Sequence, residues 1–468
     1  MMNKADFDLI ISNGKIVLPD KIVNGDLAVA KGKIAAIMPA NSGYSANKVI
    51  NAFNKYVVPG GIDAHTHIYH EYGNFRTNDT FETGTMAAAF GGTTTIIDFA
   101  VQKKGESALA AIEKRKKEIA GKAVVDYALH SCLTDGSDST ISEIEEIVKN
   151  GIASFKIYMT YRKEGQMVDD GALLAILKEA RKCGGLVGVH AENAAISEYL
   201  ADKFVEQGLT APKYHALSTP NIVEAEAVNR AIYLARSTGT ALYVYHLSTK
   251  EGVELVRAAR LKGMQIYAET CSHYLLLTDQ VYEEPHPENY LVSPPLRKKD
   301  DQTALWSGLK DQTISVIASD GIALDSKHKK KSKVFTEIPK GLAGVETRFP
   351  LLWSEGVAKG RLTPEEFVRI VASNPAKIFG LYPTKGCLLP GSDADIVVID
   401  PEKRSKLSPE NLHMKVDYSI YDGMECIGYP IITICRGKIL VEQEKFVGQI
   451  GYGNFVSAKI EPELLHYG

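Results

Sequence analysis

Two histidines stand two residues apart, His65 and His67, in the apolar run GGIDAHTHI. On a strand, residues i and i+2 face one side, so both imidazoles can reach a single point. Imidazole suits zinc and similar divalent ions. Other reactive groups lie in or at the ends of further apolar runs: Lys156 in SFKIYMT, His190 in LVGVHAE, His246 in ALYVYHLS and Asp320 in TISVIASD. Each follows β-branched or aromatic neighbours, and a titratable group at such depth needs a partner. Taken singly, His190 and His246 are more simply read as hydrogen-bonded core or rim residues. The H-x-H pattern alone also arises readily by chance in a chain with 12 histidines. Lys156 is the unusual member, because an ammonium only donates and repels cations. Burial lowers a lysine pKa, and the free amine can then take up CO₂ to give a carbamate with two anionic oxygens. From position alone, pairing with a nearby carboxylate is the simpler reading.

These groups need a frame that brings strand ends together. From about residue 59 short apolar runs alternate with helical stretches: runs at 60–68, 93–99, 125–130, 154–160, 186–192, 241–248, 265–272 and 313–320. Between them lie helix candidates such as ALAAIEKRKKEIA and GALLAILKEARKC. Eight such repeats predict an α/β chain with a closed, TIM-like (β/α)₈ barrel over 59–382; an open doubly wound sheet usually has fewer strands. Barrel sites lie at the C-terminal ends of the strands, where the five groups above would meet. The chain ends read as β, with the step Gly-Lys-Ile at 14–16, 32–34 and 437–439, and glycine supplies the positive φ of a tight hairpin. Residues 1–58 and 383–450 are therefore expected to form one small β-sandwich domain, with 451–468 as a tail.

Composition narrows the classes. The 468 residues carry 54 Lys+Arg and 57 Asp+Glu, a net charge of −3, which disfavours a nucleic-acid partner. With 45% hydrophobic and 24% charged residues the chain is an ordinary globular one. The longest stretch without formal charge, 83–97, is 15 residues, short of the ~20 a membrane span needs. No apolar core precedes the first acid of MMNKADFDLI, so no signal peptide is expected. Six cysteines without a C-x-x-C pair fit reduced thiols in a cytoplasmic protein.

The motif order adds a resemblance. Asp63-Ala-His65-Thr-His67, Phe81-Glu-Thr-Gly-Thr85, Gly91-Gly-Thr-Thr-Thr95, Phe155-Lys156, His190-Ala-Glu192-Asn193, His246-Leu-Ser248, Ser293-Pro-Pro-Leu-Arg297 and Asn374-Pro-Ala-Lys-Ile-Phe-Gly380 follow one another along nearly the whole chain. In this order they resemble the dihydropyrimidinase/hydantoinase family of the cyclic amidohydrolase superfamily. The resemblance implies a zinc-dependent hydrolase that opens hydantoins or dihydropyrimidines to N-carbamoyl amino acids. By matching position, His65, His67 and Asp320 would hold one metal and His190 and His246 a second, with carbamylated Lys156 bridging the two. Two metals can share a hydroxide at neutral pH, Asp320 can carry its proton to the leaving nitrogen, and Tyr161 can donate to the oxyanion. Ser293 matches a residue that contacts the ring amide. Allantoinase or another cyclic-amide specificity is the alternative, and a non-catalytic assembly protein like the collapsin response mediator proteins a remote one. The tail resembles a segment that packs on a neighbouring subunit, which implies a homotetramer or homodimer.

The sequence also departs from the family. Gly321 stands where many members have histidine, and Lys340 where many have asparagine in Ile338-Pro339-Lys340-Gly341. The first loop, IYHEYGNFRTND, is charged, whereas a pocket for bulky apolar groups would be apolar. Lys340 is accordingly expected at the substrate, where it biases the substituent pocket toward small or anionic substrates. The run KHKKKSK (327–333) is expected to be a solvated loop.

Overall fold

Eight parallel strands form the centre of the computed structural model, which describes residues 5–73 and 75–466. In chain order they are Gly61–Thr66, Thr93–Val101, Asp126–Leu133, Ser154–Tyr158, Leu186–His190, Leu242–Val244, Ile266–Cys271 and Val316–Ala318. Each pairs with its sequence neighbour. The last meets the first through Ser319 N to Asp63 Oδ1 (3.0 Å), Ser319 Oγ to His65 O (3.2 Å) and His67 N to Gly321 O (3.1 Å). The sheet thus curls into the expected barrel. Most strand residues are buried on both faces, the pattern of a parallel sheet wrapped by helices.

The helices begin where the sequence signals them. Ser107, Ser137 and Asp169 cap Ala108–Ile119, Asp138–Lys149 and Asp170–Cys183 by accepting a backbone N–H with the side chain. Asp138–Lys149 buries Thr140, Ile144 and Ile147 at helical spacing and keeps its acids outward. Inside the barrel, Ala64, Phe99, Ala128, Cys132, Tyr243 and Tyr245 form an apolar floor directly beneath the strand ends. None of the helices among the described residues is long and apolar enough to cross a membrane.

Both chain ends supply a second, nine-stranded sheet. Its two halves join where Tyr56–Pro59 pairs antiparallel with the start of Ile396–Lys406, Ile396 opposite Pro59 and Ile399 opposite Tyr56. The sheet encloses its own core of Ile11, Ile16, Leu27, Val57, Ile396 and Ile434. Gly32 and Gly437 do sit at hairpin turns with φ of 74° and 75°. Gly14 does not. It lies within Phe7–Val17 beside a register shift, and a Cβ there would collide with the Val57 side chain. Close packing, not turn geometry, requires that glycine. The tail lies on the barrel base, with Tyr127 N donating to Asn454 O and Ala241 N to Leu465 O, both at 2.9 Å.

The lysine-rich run is not a solvated loop throughout. Lys329 is wholly buried, and His328 stacks on Phe75 with ring centroids 4.5 Å apart. Backbone carbonyls of neighbouring segments satisfy the Lys329 amine, which the charge pattern alone does not show.

Candidate metal centre

The first strand delivers His65 to the barrel mouth with no exposure, and His67 follows beyond its end. Asp320 comes two residues after the eighth strand and His246 two after the sixth, at φ of 47° and 37°. Such left-handed backbone outside glycine is sparse and gathers at functional sites. Lys156 lies inside the fourth strand and His190 ends the fifth.

His65 Nε2 is 3.0 Å from Asp320 Oδ1, 3.2 Å from His67 Nε2 and 2.8 Å from Lys156 Nζ. His67 Nε2 is 3.4 Å from the same Asp320 oxygen. The donor atoms of His65, His67 and Asp320 fall within 4.8 Å of one another, a group able to hold a metal ion. His190 and His246 adjoin it ring against ring, centroids 4.3 Å apart, with His246 5.5 Å from His65. They are neighbours of the first group rather than members of it.

Outer partners orient these rings. Glu269 Oε1 contacts His65 Nδ1 at 2.5 Å, and its other oxygen accepts from Tyr243 OH at 2.8 Å. Glu192 Oε2 meets His190 Nε2 at 2.6 Å. A carboxylate on the outer nitrogen fixes the imidazole and raises its basicity as a ligand. Glu269 does not stand out in the sequence, and Glu192 occurs there only within the motif His190-Ala-Glu192-Asn193, with no role of its own. Glu192 lies two residues after His190, the spacing that returns a strand side chain to the same face. Glu269 sits inside an apolar run, and only barrel closure brings it to His65.

Burial and charge tune the cluster. Burial alone would raise Asp320, but the charge and hydrogen bond of His65, with that of His67, outweigh it and hold the carboxylate well below its usual range. Burial lowers Lys156 against the pull of Asp320, and lowers His67 and His246 well below the ordinary imidazole value. His65 is raised, because Asp320 and Glu269 overcome burial and Lys156. An ionised Asp320, His67 and His246 favouring the neutral form and a Lys156 driven toward its free amine are the protonation states in which these groups ligate, whereas His65, raised, must give up its proton to join them. The buried Nδ1 atoms of His67 and His246 have no protein partner among the described residues. The donor set therefore fits divalent ions.

Tyr161 follows the fourth strand at φ 61°, half-buried, with its ring 5.1 Å from His190. Ser293 is half-buried in the segment after the seventh strand. Lys340 is half-buried too, its Nζ donating to Thr336 O at 3.0 Å. Burial pushes its ammonium down to about 8 against the pull of Glu164. Ser293 and Lys340 make no ligating contact with the histidines.

A cavity of about 330 Å³ has in its wall Phe99, whose ring packs against His65 and His67. Tyr69, His70, Gln102, Thr134 and Gln166 line it, and Glu71, Lys103 and Lys114 stand at its rim. Asp126, Asp395 and Cys435 form another close donor group. There Lys385 pairs with Asp126, Asp393 and Asp395, and Arg436 with Asp126, so that group is a neutralised ion cluster tying the terminal sheet to the barrel base.

Residues 56–440 match the model of the amidohydrolase family. The chain is 44% identical over 452 residues to a D-hydantoinase of Geobacillus stearothermophilus, covering 96% of each. It is 42% identical over 456 residues to a D-hydantoinase of Ralstonia pickettii, covering 97% of this chain and 99% of the other. Among solved structures, the dihydropyrimidinase from Brevibacillus agri NCHU1002 superposes with a TM-score of 0.94 at 40% identity, covering 97% of this chain and 99% of that one.

Proposed function

The chain belongs to the amidohydrolase family, and from that premise we propose that it hydrolyses the cyclic amide bond of hydantoins or dihydropyrimidines to N-carbamoyl amino acids. The observation that carries this reading is the convergence of His65, His67 and Asp320 on one point beside a buried Lys156 at the barrel mouth. Relatives named D-hydantoinase and dihydropyrimidinase, matched over nearly their full length, support the substrate class.

His65, His67 and Asp320 would hold one divalent ion, His190 and His246 a second, and Lys156 would bridge them as a carbamate, formed by its free amine adding to CO₂ with loss of a proton. Two such ions, zinc by donor chemistry, supply an acidified water and a Lewis acid for the carbonyl. Asp320, held ionised, accepts the proton of the attacking water and returns it to the leaving ring nitrogen. Tyr161, beside His190, donates to the oxyanion that develops on the carbonyl. Ser293 and the backbone at Lys340 receive the rest of the ring. The polar cavity beside Phe99 takes the ring substituent, and Lys340 favours an anionic one. The protein works in the cytoplasm as a homotetramer or homodimer, with domains bounded at 58, 382 and 450.

The test is a panel of hydantoin, 5-substituted hydantoins, dihydrouracil, allantoin and dihydroorotate. Ring opening of the first three classes with little of the last two is expected. Preference for allantoin would move the chain to another cyclic-amide specificity.

A further inference from the structure

Three lysines are buried among the described residues: Lys156, Lys329 and Lys385. Lys156 belongs to the donor group, and Lys385 lies among three aspartates. Lys329 has neither setting. Its Nζ donates to Leu291 O at 2.8 Å and to Pro339 O at 2.9 Å, and no carboxylate among the described residues pairs with it. Burial and the nearby charge of Lys340 drive its pKa well below the ordinary lysine value. An amine is costly to bury this way.

Its two acceptors flank the substrate segments. Leu291 is two residues before Ser293, and Pro339 directly precedes Lys340. Gly341 N also donates to Leu291 O, at 3.0 Å, so the two segments touch where Lys329 joins them. Buried side chains hold the neighbouring carbonyls as well. His215 Nε2 takes Val292 O and Tyr274 OH takes Pro294 O, both at 2.7 Å. Between these anchors, Ser293 uses neither its N–H, its C=O nor its hydroxyl in a hydrogen bond to other described residues. A cyclic amide presents C=O and N–H on one edge, and an open backbone N–H and C=O complement that edge.

We propose that Lys329 is a positioning residue that locks the 291–294 and 338–341 backbones together and so aims Ser293 and Lys340 at the ring amide. This rests on the ring-opening reading above. Lysine suits the task because its unbranched stem carries at least two rotatable N–H donors in either protonation state, enough for two carbonyls from different segments. Methionine would fill the same space without donating.

The test compares wild-type holoenzyme with Lys329→Met and Lys329→Gln. Amide hydrogen exchange reads the clamp without any substrate. Faster exchange is expected in the peptides covering 291–297 and 338–342 together, with metal content and melting temperature kept. Steady-state kinetics on a 5-substituted hydantoin should show KM raised roughly tenfold or more, with kcat changed less, and Lys329→Gln recovering part of the loss. Unchanged exchange in both peptides, or an unchanged KM, would overturn the proposal. So would metal loss in the folded variants in step with activity, because Lys329 would then support the cluster instead. Should the methionine variant fail to fold, the glutamine variant carries both readouts. Wild-type protein that opens no ring would end the ring-opening reading, and the exchange experiment would still decide the clamp.

Discussion

Glu269 illustrates how much of this centre depends on groups that touch no substrate. Its carboxylate holds the outer nitrogen of His65 and leaves the inner one toward Asp320 and Lys156. Glu269→Gln should weaken metal affinity ~10–100-fold in a chelator competition, with the fold intact. Normal affinity would remove Glu269 from the site. Lys156→Ala should lose both metal and activity, and short carboxylic acids should restore part of each, since they would stand in for the proposed carbamate. Tyr161→Phe should keep its metals and lower kcat ~10²–10³-fold, the cost of one oxyanion donor; a near-normal kcat would make the tyrosine a packing residue. At this scale the sequence showed histidines and an aspartate at the ends of apolar runs, out of place unless partnered, and only the family resemblance joined them into a ligand set. It did not show Glu269, whose role exists only once the closed barrel brings a side chain of the seventh strand across to His65 on the first.

At the scale of elements, buried polar contacts hold the segment that carries His67. Asp98, fully buried, accepts from Thr66 Oγ1 and Ile68 N at 3.0 Å each, and Arg115 pairs with it at 2.6 Å. That knot fixes the residues on both sides of His67. Arg115→Met would strand a buried charge and should cost ~3–5 kcal/mol in urea unfolding. A change below 1 kcal/mol would mean that Asp98 accommodates the loss locally. Lys340 is expected to act through charge. It is lowered to about 8, so its ammonium form declines as pH rises through that value. The ratio of kcat/KM for a carboxyalkyl hydantoin to that for a neutral analogue should therefore fall across pH 8, and Lys340→Asn should abolish the fall. A ratio independent of both would assign specificity to the cavity loops. All eight barrel runs were legible as strands, since parallel strands are apolar on both faces. Gly14 and Lys329 were not, because close approach of another segment leaves no local signature in residue type.

The whole molecule joins a barrel that gathers strand ends with a sheet that fastens the two chain termini. The Lys385 ion cluster links sheet to barrel base, so it and the donor group at the mouth occupy opposite ends of the barrel. The pairing of residues 56–59 with 396–399 needs both termini at once, and the shared Gly-Lys-Ile steps only hinted at it. The central claim is that the donors at the mouth hold two metal ions and that these ions are needed to open the ring. It is tested by stripping the protein, restoring zinc in steps, and measuring N-carbamoyl product from a 5-substituted hydantoin against metals bound per chain. The expected result is a rate that rises with occupancy and levels off near two. Full rate in stripped protein, or no product at full occupancy, would contradict it.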